Sequence, residues 1–181
     1  MSMLDTYPTP HPLAARCAQL LQARRQTVAV CESSAGGLIT AALVAVPGCS
    51  AFFVGGCVAY APEAREYLLG MRPETFGDLR PCTEAYALLC ARQLRARLGC
   101  DWALAETGAT GPTPNPYGAP PGRACLAVGG RVERVRERQN WCARTWQTRS
   151  QRARASDGRG TSAERAQGAR QVTRGASGRD R

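Results

Sequence analysis

The run Thr27 to Cys31 is short, largely apolar and partly β-branched; Glu32-Ser33-Ser34-Ala35-Gly36-Gly37 follows it, and then Leu38 to Val46, apolar nearly throughout. That order reads as a buried strand, a tight turn and a covered helix that stops at Pro47-Gly48. A strand with no polar face must be buried on both sides, which predicts a parallel sheet between helical layers.

The flanking segments extend the same pattern. Leu13, Cys17, Leu20 and Leu21 recur at helical spacing, with Arg16, Arg24 and Arg25 on other faces, and predict an amphipathic first helix. Phe52 to Tyr60 reads as a second strand whose Gly55-Gly56 marks a bulge or a close backbone approach. Pro62 suits a helix's first turn, Glu63 and Glu66 suit its positive end, and Gly70 suits its stop. A further helix is expected from about Thr83 to Leu98, closed by Gly99. Asp101 to Ala105 and Arg123 to Val128 read as strands on either side of Thr107 to Gly122, a loop rich in Gly and Pro. A loop of that length inside a compact domain is uncommon unless it is functional. Strands alternating with helices predict a three-layer α/β/α sandwich with a mostly parallel sheet. Ligands of such sheets bind where loops leave the carboxyl ends of strands, so the Glu32–Gly37 turn and the Thr107–Gly122 loop are expected to meet at one cleft.

Charge divides the chain of 181 residues unevenly. Residues 1–130 hold ten arginines against nine acidic residues, and residues 131–181 hold fourteen against five. The expected organisation is a flexible leader over 1–12, a domain over 13–130, and an Arg-rich tail over 131–181 that is either disordered or not native coding text. Trp141, Arg144, Trp146 and Arg149 superficially resemble a basic–aromatic nucleic-acid binder, but a solvated tail is the reading taken. No lysine is present, and His11 is the one histidine. Nine cysteines without a C-x-x-C pair read as free thiols of a reducing compartment, not as disulfides or a metal site. No signal peptide and no membrane-length apolar stretch is evident, so the cytoplasm is the expected location, with no membrane partner.

Ser33 or Ser34 lies between a strand and a helix, where backbone N–H groups at the helix start can stabilise an anion. The turn therefore suits a nucleophile beside an oxyanion hole, and it suits equally a serine that merely caps the helix. There is no G-x-S-x-G elbow, and a Walker A loop is impossible without lysine.

Four segments in order carry a resemblance: Glu32 to Gly37; Pro47 to Tyr60; Glu63-Ala64-Arg65 with Leu68-Leu69-Gly70; and Thr107-Gly108-Ala109-Thr110-Gly111-Pro112. Over about Leu13 to Val128 they resemble the CinA C-terminal family, whose enzymatic members are nicotinamide-nucleotide amidases. The resemblance implies an α/β/α domain, usually oligomeric, that hydrolyses nicotinamide mononucleotide to nicotinate mononucleotide and ammonia without a cofactor or metal. It implies that Ser33 is the nucleophile, that Tyr60 ends the second strand beside the site, and that Ser34, Gly36, Gly37, Thr107 and Gly108 contact the substrate.

Three departures from the family pattern bear on activity. Ala35 stands where the amidases usually have threonine, Arg65 stands where they usually have the lysine that pairs with the serine, and the closing strand and helix with a Gly-Asp-Arg motif have no counterpart after Val128. Arg65 cannot accept a proton, because a guanidinium has a pKa above about 12. Tyr60, Glu32 and Glu106 remain as other bases, and each also has a structural explanation. The expected function is a nicotinamide-nucleotide amidohydrolase impaired by Arg65, with a catalytically inactive nucleotide-binding relative as the alternative.

Overall fold

Pro12 opens helix α1 (Pro12–Ala23), where its missing N–H is not needed, and the His11 side chain caps the helix by accepting from the Leu13 N–H. This is the first element of a computed structural model that describes residues 10–139. Of the leader expected over 1–12, residues 1–9 lie outside the described residues, as does the part of the expected tail beyond Gln139. Strand β1 (Val28–Glu32) is buried throughout and is followed by helix α2 (Leu38–Val44), a single turn at Cys49–Ala51, and strand β2 (Phe53–Val58). Helices α3 (Pro62–Leu69), α4 (Pro73–Phe76) and α5 (Glu84–Leu98) lead to strands β3 (Trp102–Ala109), β4 (Arg123–Gly129) and β5 (Arg134–Arg138). Thr83 caps α5 by accepting the Tyr86 N–H, and Gly70 and Gly99 end α3 and α5 with φ of 66° and 62°.

The sheet order is β2-β1-β3-β4-β5, with β1 parallel to β2 and β3, and β4 antiparallel to β3 and β5. Four strands thus run one way and β4 is reversed. The expectation of a parallel sheet holds in direction but not in every pairing. No helix separates β3 from β4, so the connection is a long hairpin, not a crossover.

Two cores flank the sheet. On one face, Ala29, Cys31, Ala103, Ala105, Cys125 and Ala127 pack against Tyr86, Ala87, Cys90, Ala91 and Leu94 of α5. On the other, Val28 and Val30 meet Ala14 and Ala18 of α1 and Leu43 of α2. The small residues on the α5 side let that helix approach closely and admit the bulk of Tyr86.

Several sequence expectations need correction. The buried stripe of α1 is Ala14 and Ala18 with Leu21 half-buried beside them, whereas Leu13, Cys17 and Leu20 face solvent. Helix α2 is shorter than expected and only half covered, with Leu38, Ala41 and Val44 exposed. Strand β3 extends four residues past Ala105, so Thr107 and Gly108 belong to a strand and do not open the loop. Arg134–Arg138, expected to be unstructured, forms β5, because β4 offers it an open edge and pairing does not require an apolar sequence. The bulge does occur: Val28 pairs with Phe53 and Ala29 with Gly55, which skips Val54. Gly56 is the close approach, since a Cβ there would strike the Thr40 side chain. Cys17 is exposed and Cys49 and Cys57 are half-buried; all eight described cysteines are free thiols.

Candidate functional site

The turn after β1 is held by two buried carboxylates. Glu32, the last residue of β1, bends forward so that Oε2 accepts the N–H groups of Gly37 (2.9 Å) and Ile39 (3.1 Å), and Oε1 accepts that of Thr40 (2.8 Å). It neutralises the start of α2, where unpaired N–H groups gather. Glu106 of β3 approaches from the next strand. Its Oε2 accepts the N–H of Ser33 at 3.1 Å and of Ala35 at 2.8 Å, and its Oε1 accepts the Ser34 hydroxyl. Gly36 and Gly37 carry φ of 64° and 98°, values that L side chains rarely adopt, and this is why the turn ends in a glycine pair.

These contacts revise the oxyanion-hole expectation. The N–H groups of Ser33, Ala35, Gly37, Ile39 and Thr40 are all committed to protein carboxylates. Ser34 is tied to Glu106, while the half-buried Ser33 hydroxyl forms no hydrogen bond among the described residues. Gly108 sits against this cluster: a Cβ there would strike Ser34 Oγ and come 2.8 Å from the Arg123 carbonyl and 3.0 Å from Glu106 Oε1. Thr107 is buried and accepts the Cys82 N–H at 3.1 Å, so its hydroxyl anchors the segment before α5.

Arg65 belongs to a second cluster. It lies on α3 and donates to the Tyr60 carbonyl at 3.1 Å and to the Tyr86 hydroxyl at 3.4 Å; no hydrogen bond joins it or Tyr60 to Ser33 among the described residues. Burial acts to lower its pKa, but the neighbouring hydroxyls of Tyr86 and Tyr117 outweigh that and raise it, so the guanidinium stays charged. Burial pushes Tyr86 up to about 12 against the opposing pull of Arg65. Arg65 and Tyr117 line a cleft of about 390 Å³ with Asp78, Leu79 and Arg80. Tyr60 itself is 63% exposed.

The sequence reading therefore brought together two groups that make separate contacts: Ser33, Ser34, Gly36, Gly37 and Gly108 around the carboxylates, and Tyr60 with Arg65 beside the cleft. It missed Tyr86 and Tyr117. The available signals were an aromatic residue with a polar end on the first turn of a strongly capped helix, and the tyrosine of Asn115-Pro116-Tyr117-Gly118 in the long loop.

A mixed sheet between helices, with a carboxylate-braced strand–turn–helix at the carboxyl end of its interior strand β1, defines an α/β/α domain. The chain belongs to the CinA C-terminal domain family, whose model matches residues 10–156. A CinA-like protein of Synechococcus sp. (strain CC9902) is 41% identical over 119 residues, which cover 66% of this chain and 28% of that protein. One from Thermosynechococcus vestitus is 43% identical over 100 residues, covering 55% of this chain and 24% of its own length. The chain thus spans about a quarter of the length of these curated relatives. The crystal structure of the competence damage-inducible protein A from Klebsiella pneumoniae superposes with a TM-score of 0.67 at 30% identity, over 72% of this chain and 82% of that one. The competence/damage-inducible protein from Agrobacterium tumefaciens gives 0.64 at 28% identity, over 79% and 88%.

Proposed function

We propose that the domain hydrolyses the carboxamide of nicotinamide mononucleotide, with Ser33 as the nucleophile. The observation that carries this reading is the half-buried Ser33 hydroxyl, which forms no hydrogen bond among the described residues on a turn that Glu32 and Glu106 brace through its N–H groups and Ser34. Rigid placement of one reactive group is what nucleophilic catalysis needs. Ser33 Oγ attacks the amide carbon, the C–N bond breaks with release of ammonia, and water then cleaves the acyl-enzyme to leave the carboxylate. Glu106 of β3 is the acceptor beside the turn, already bonded to the Ser33 N–H and the Ser34 hydroxyl. Proton transfer to a positioned carboxylate supplies the general base that Arg65 cannot. Arg65, charged and fixed by Tyr86, serves to hold an anionic part of the nucleotide.

The second reading, a binding protein without turnover, is favoured by the same cluster: the N–H groups of the turn are occupied by carboxylates, and Arg65 replaces a base. Ammonia release from nicotinamide mononucleotide, measured beside calorimetric binding, separates the two. Release that disappears in Ser33→Ala supports the hydrolase, and binding without release would leave only the second reading.

A further inference from the structure

Two buried thiols take no part in the turn or the cleft, and they lie against each other. In the sheet, Thr107 of β3, Cys125 of β4 and Glu137 of β5 are directly paired and share one face, the face that α5 covers. Arg123 lies two residues from Cys125 on the same side. Cys82, just before α5, sits on this row, held at a left-handed φ of 63° while its N–H donates to Thr107 Oγ1 at 3.1 Å. Cys125 Sγ donates to the Cys82 carbonyl at 3.3 Å, and Cys82 Sγ donates to the Arg123 carbonyl at 3.6 Å. The two thiols are also within hydrogen-bonding reach of each other, and both residues are buried.

A cation stands beside this pair. Arg123 donates from Nη2 to Glu137 at 2.7 Å, but its Nε–H is buried and has no hydrogen-bond partner among the described residues. A buried donor left unpaired is costly, and an anionic sulfur beside it would relieve that cost. The bond from Cys125, joined by the charge of Arg123, holds the Cys82 thiol below its ordinary value against the opposing effect of burial. Cys125 is pushed up, chiefly by that same bond. One sulfur therefore favours the thiolate while the other keeps its proton. Cys31, Cys57 and Cys90 also lie close together but behave differently. Against the pull of Cys57, Cys90 and burial push Cys31 up, and Cys57 is pushed up by its bond to Cys31 and by burial.

We propose that Cys82 and Cys125 form a peroxide-responsive dithiol site that closes to an intramolecular disulfide. The Cys82 sulfur attacks one oxygen of hydrogen peroxide. The O–O bond breaks, an S–O bond forms, and the other oxygen leaves as water with the proton that Cys82 gave up. The Cys125 sulfur then attacks the Cys82 sulfur; the S–O bond breaks, the S–S bond forms, and a second water leaves with the Cys125 proton. Two thiols are oxidised and one peroxide is reduced to two waters. Cys82 packs with Ala109 and Ala119 near the two ends of the long loop, and Arg123 and Glu137 beside the pair keep 29% and 35% of their side chains exposed. Local opening of that loop admits so small an oxidant. The new bond ties the segment before α5 to β4.

The test treats the reduced full chain with hydrogen peroxide, unfolds it, alkylates the remaining thiols and maps the peptides by mass. A linked Cys82 and Cys125 peptide pair is expected, formed while Cys31, Cys57 and Cys90 are still alkylated. The melting temperature of the oxidised chain should rise by about 5 °C or more and return on treatment with dithiothreitol. Arg123→Gln is expected to slow closure about tenfold. Cys125→Ser should leave a sulfenic acid on Cys82 that dimedone traps. The mapping of the parent chain decides the matter even where a variant does not fold. The proposal is overturned if both cysteines stay alkylatable in excess peroxide that fully oxidises the exposed Cys17, or if Cys82 links to a different cysteine.

Discussion

The Ser34 hydroxyl donates to Oε1 of Glu106, a residue 72 positions later in the chain, while the other oxygen of the same carboxylate takes the backbone N–H groups on either side of Ser34. One side chain of β3 therefore sets the conformation of the turn that follows β1. In this arrangement Ser34 is the brace and Ser33 is the group left available.

That division of labour separates the two serines by experiment. Ser33→Ala is expected to lower ammonia release by about 10³ or more while leaving the melting temperature almost unchanged. Ser34→Ala leaves part of the Glu106 carboxylate unpaired, so it should cost about 1–3 kcal/mol of stability and a smaller part of the rate. Activity kept by Ser33→Ala and lost by Ser34→Ala reverses the assignment.

Arg65→Lys tests the cation in the position where relatives have lysine. Because Arg65 is tied to Tyr86 and the Tyr60 carbonyl and forms no hydrogen bond to Ser33 among the described residues, Arg65→Lys is expected to weaken nucleotide binding while changing the rate of ammonia release at saturation by less than about threefold. A rise of about 10² or more in a folded variant would show instead that position 65 exchanges a proton with Ser33.

Glu32 accepts three N–H groups at the start of α2 while fully buried. Glu32→Gln removes the charge and turns one acceptor into a donor facing donors. Urea unfolding should show a loss of about 3 kcal/mol. A loss under about 0.5 kcal/mol would mean that the cap contributes little.

Tyr86 gives a pH dependence with a defined sign. Burial raises its folded pKa to about 12 from the ordinary tyrosine value of 10.0, so the unfolded chain releases this proton first. Its contribution to stability is full below pH 10.0 and is lost as pH rises toward about 12. Tyr86→Phe should flatten this part of the stability–pH curve. Identical alkaline slopes in both proteins would exclude the assignment.

Gly108→Ala places a methyl group against Ser34, the Arg123 carbonyl and Glu106. It should destabilise the domain by about 1–3 kcal/mol and depress ammonia release with it. Full activity and stability would show that Glu106 moves freely, contrary to its role as the brace.

Local signals carried the helices well. Thr83, Gly70 and Gly99 mark helix ends because capping and left-handed backbone depend on one or two residues. The open flank of α1 could not be read this way, since alanine and leucine stripes are equally periodic and only the packing partner decides which is buried. Strand β5 was missed for a related reason: its arginines lie on a solvent face, and its stability comes from the edge of β4. The turn was legible as a candidate site and Glu106 as either a base or a loop-capping or Arg-paired group, but its bond to the Ser34 hydroxyl was not, because contact across β1 and β3 leaves no mark on spacing. Arg65 was legible as a cation that cannot accept a proton, while its attachment to Tyr86 depended on the crossing of α3 and α5.

Strand β1 is interior in the sheet yet early in the chain, and its neighbour β3 follows much later; the Asp101 side chain that ties these strands at their base lies 74 positions beyond Thr27. During synthesis β1 can pair with β2 soon after both emerge, but its second edge and the serine turn stay unsupported until β3 is made. Folding speed should therefore be governed by the arrival of one late strand, and substitutions at Asp101 or Glu106 should slow refolding more than equally destabilising changes in α1.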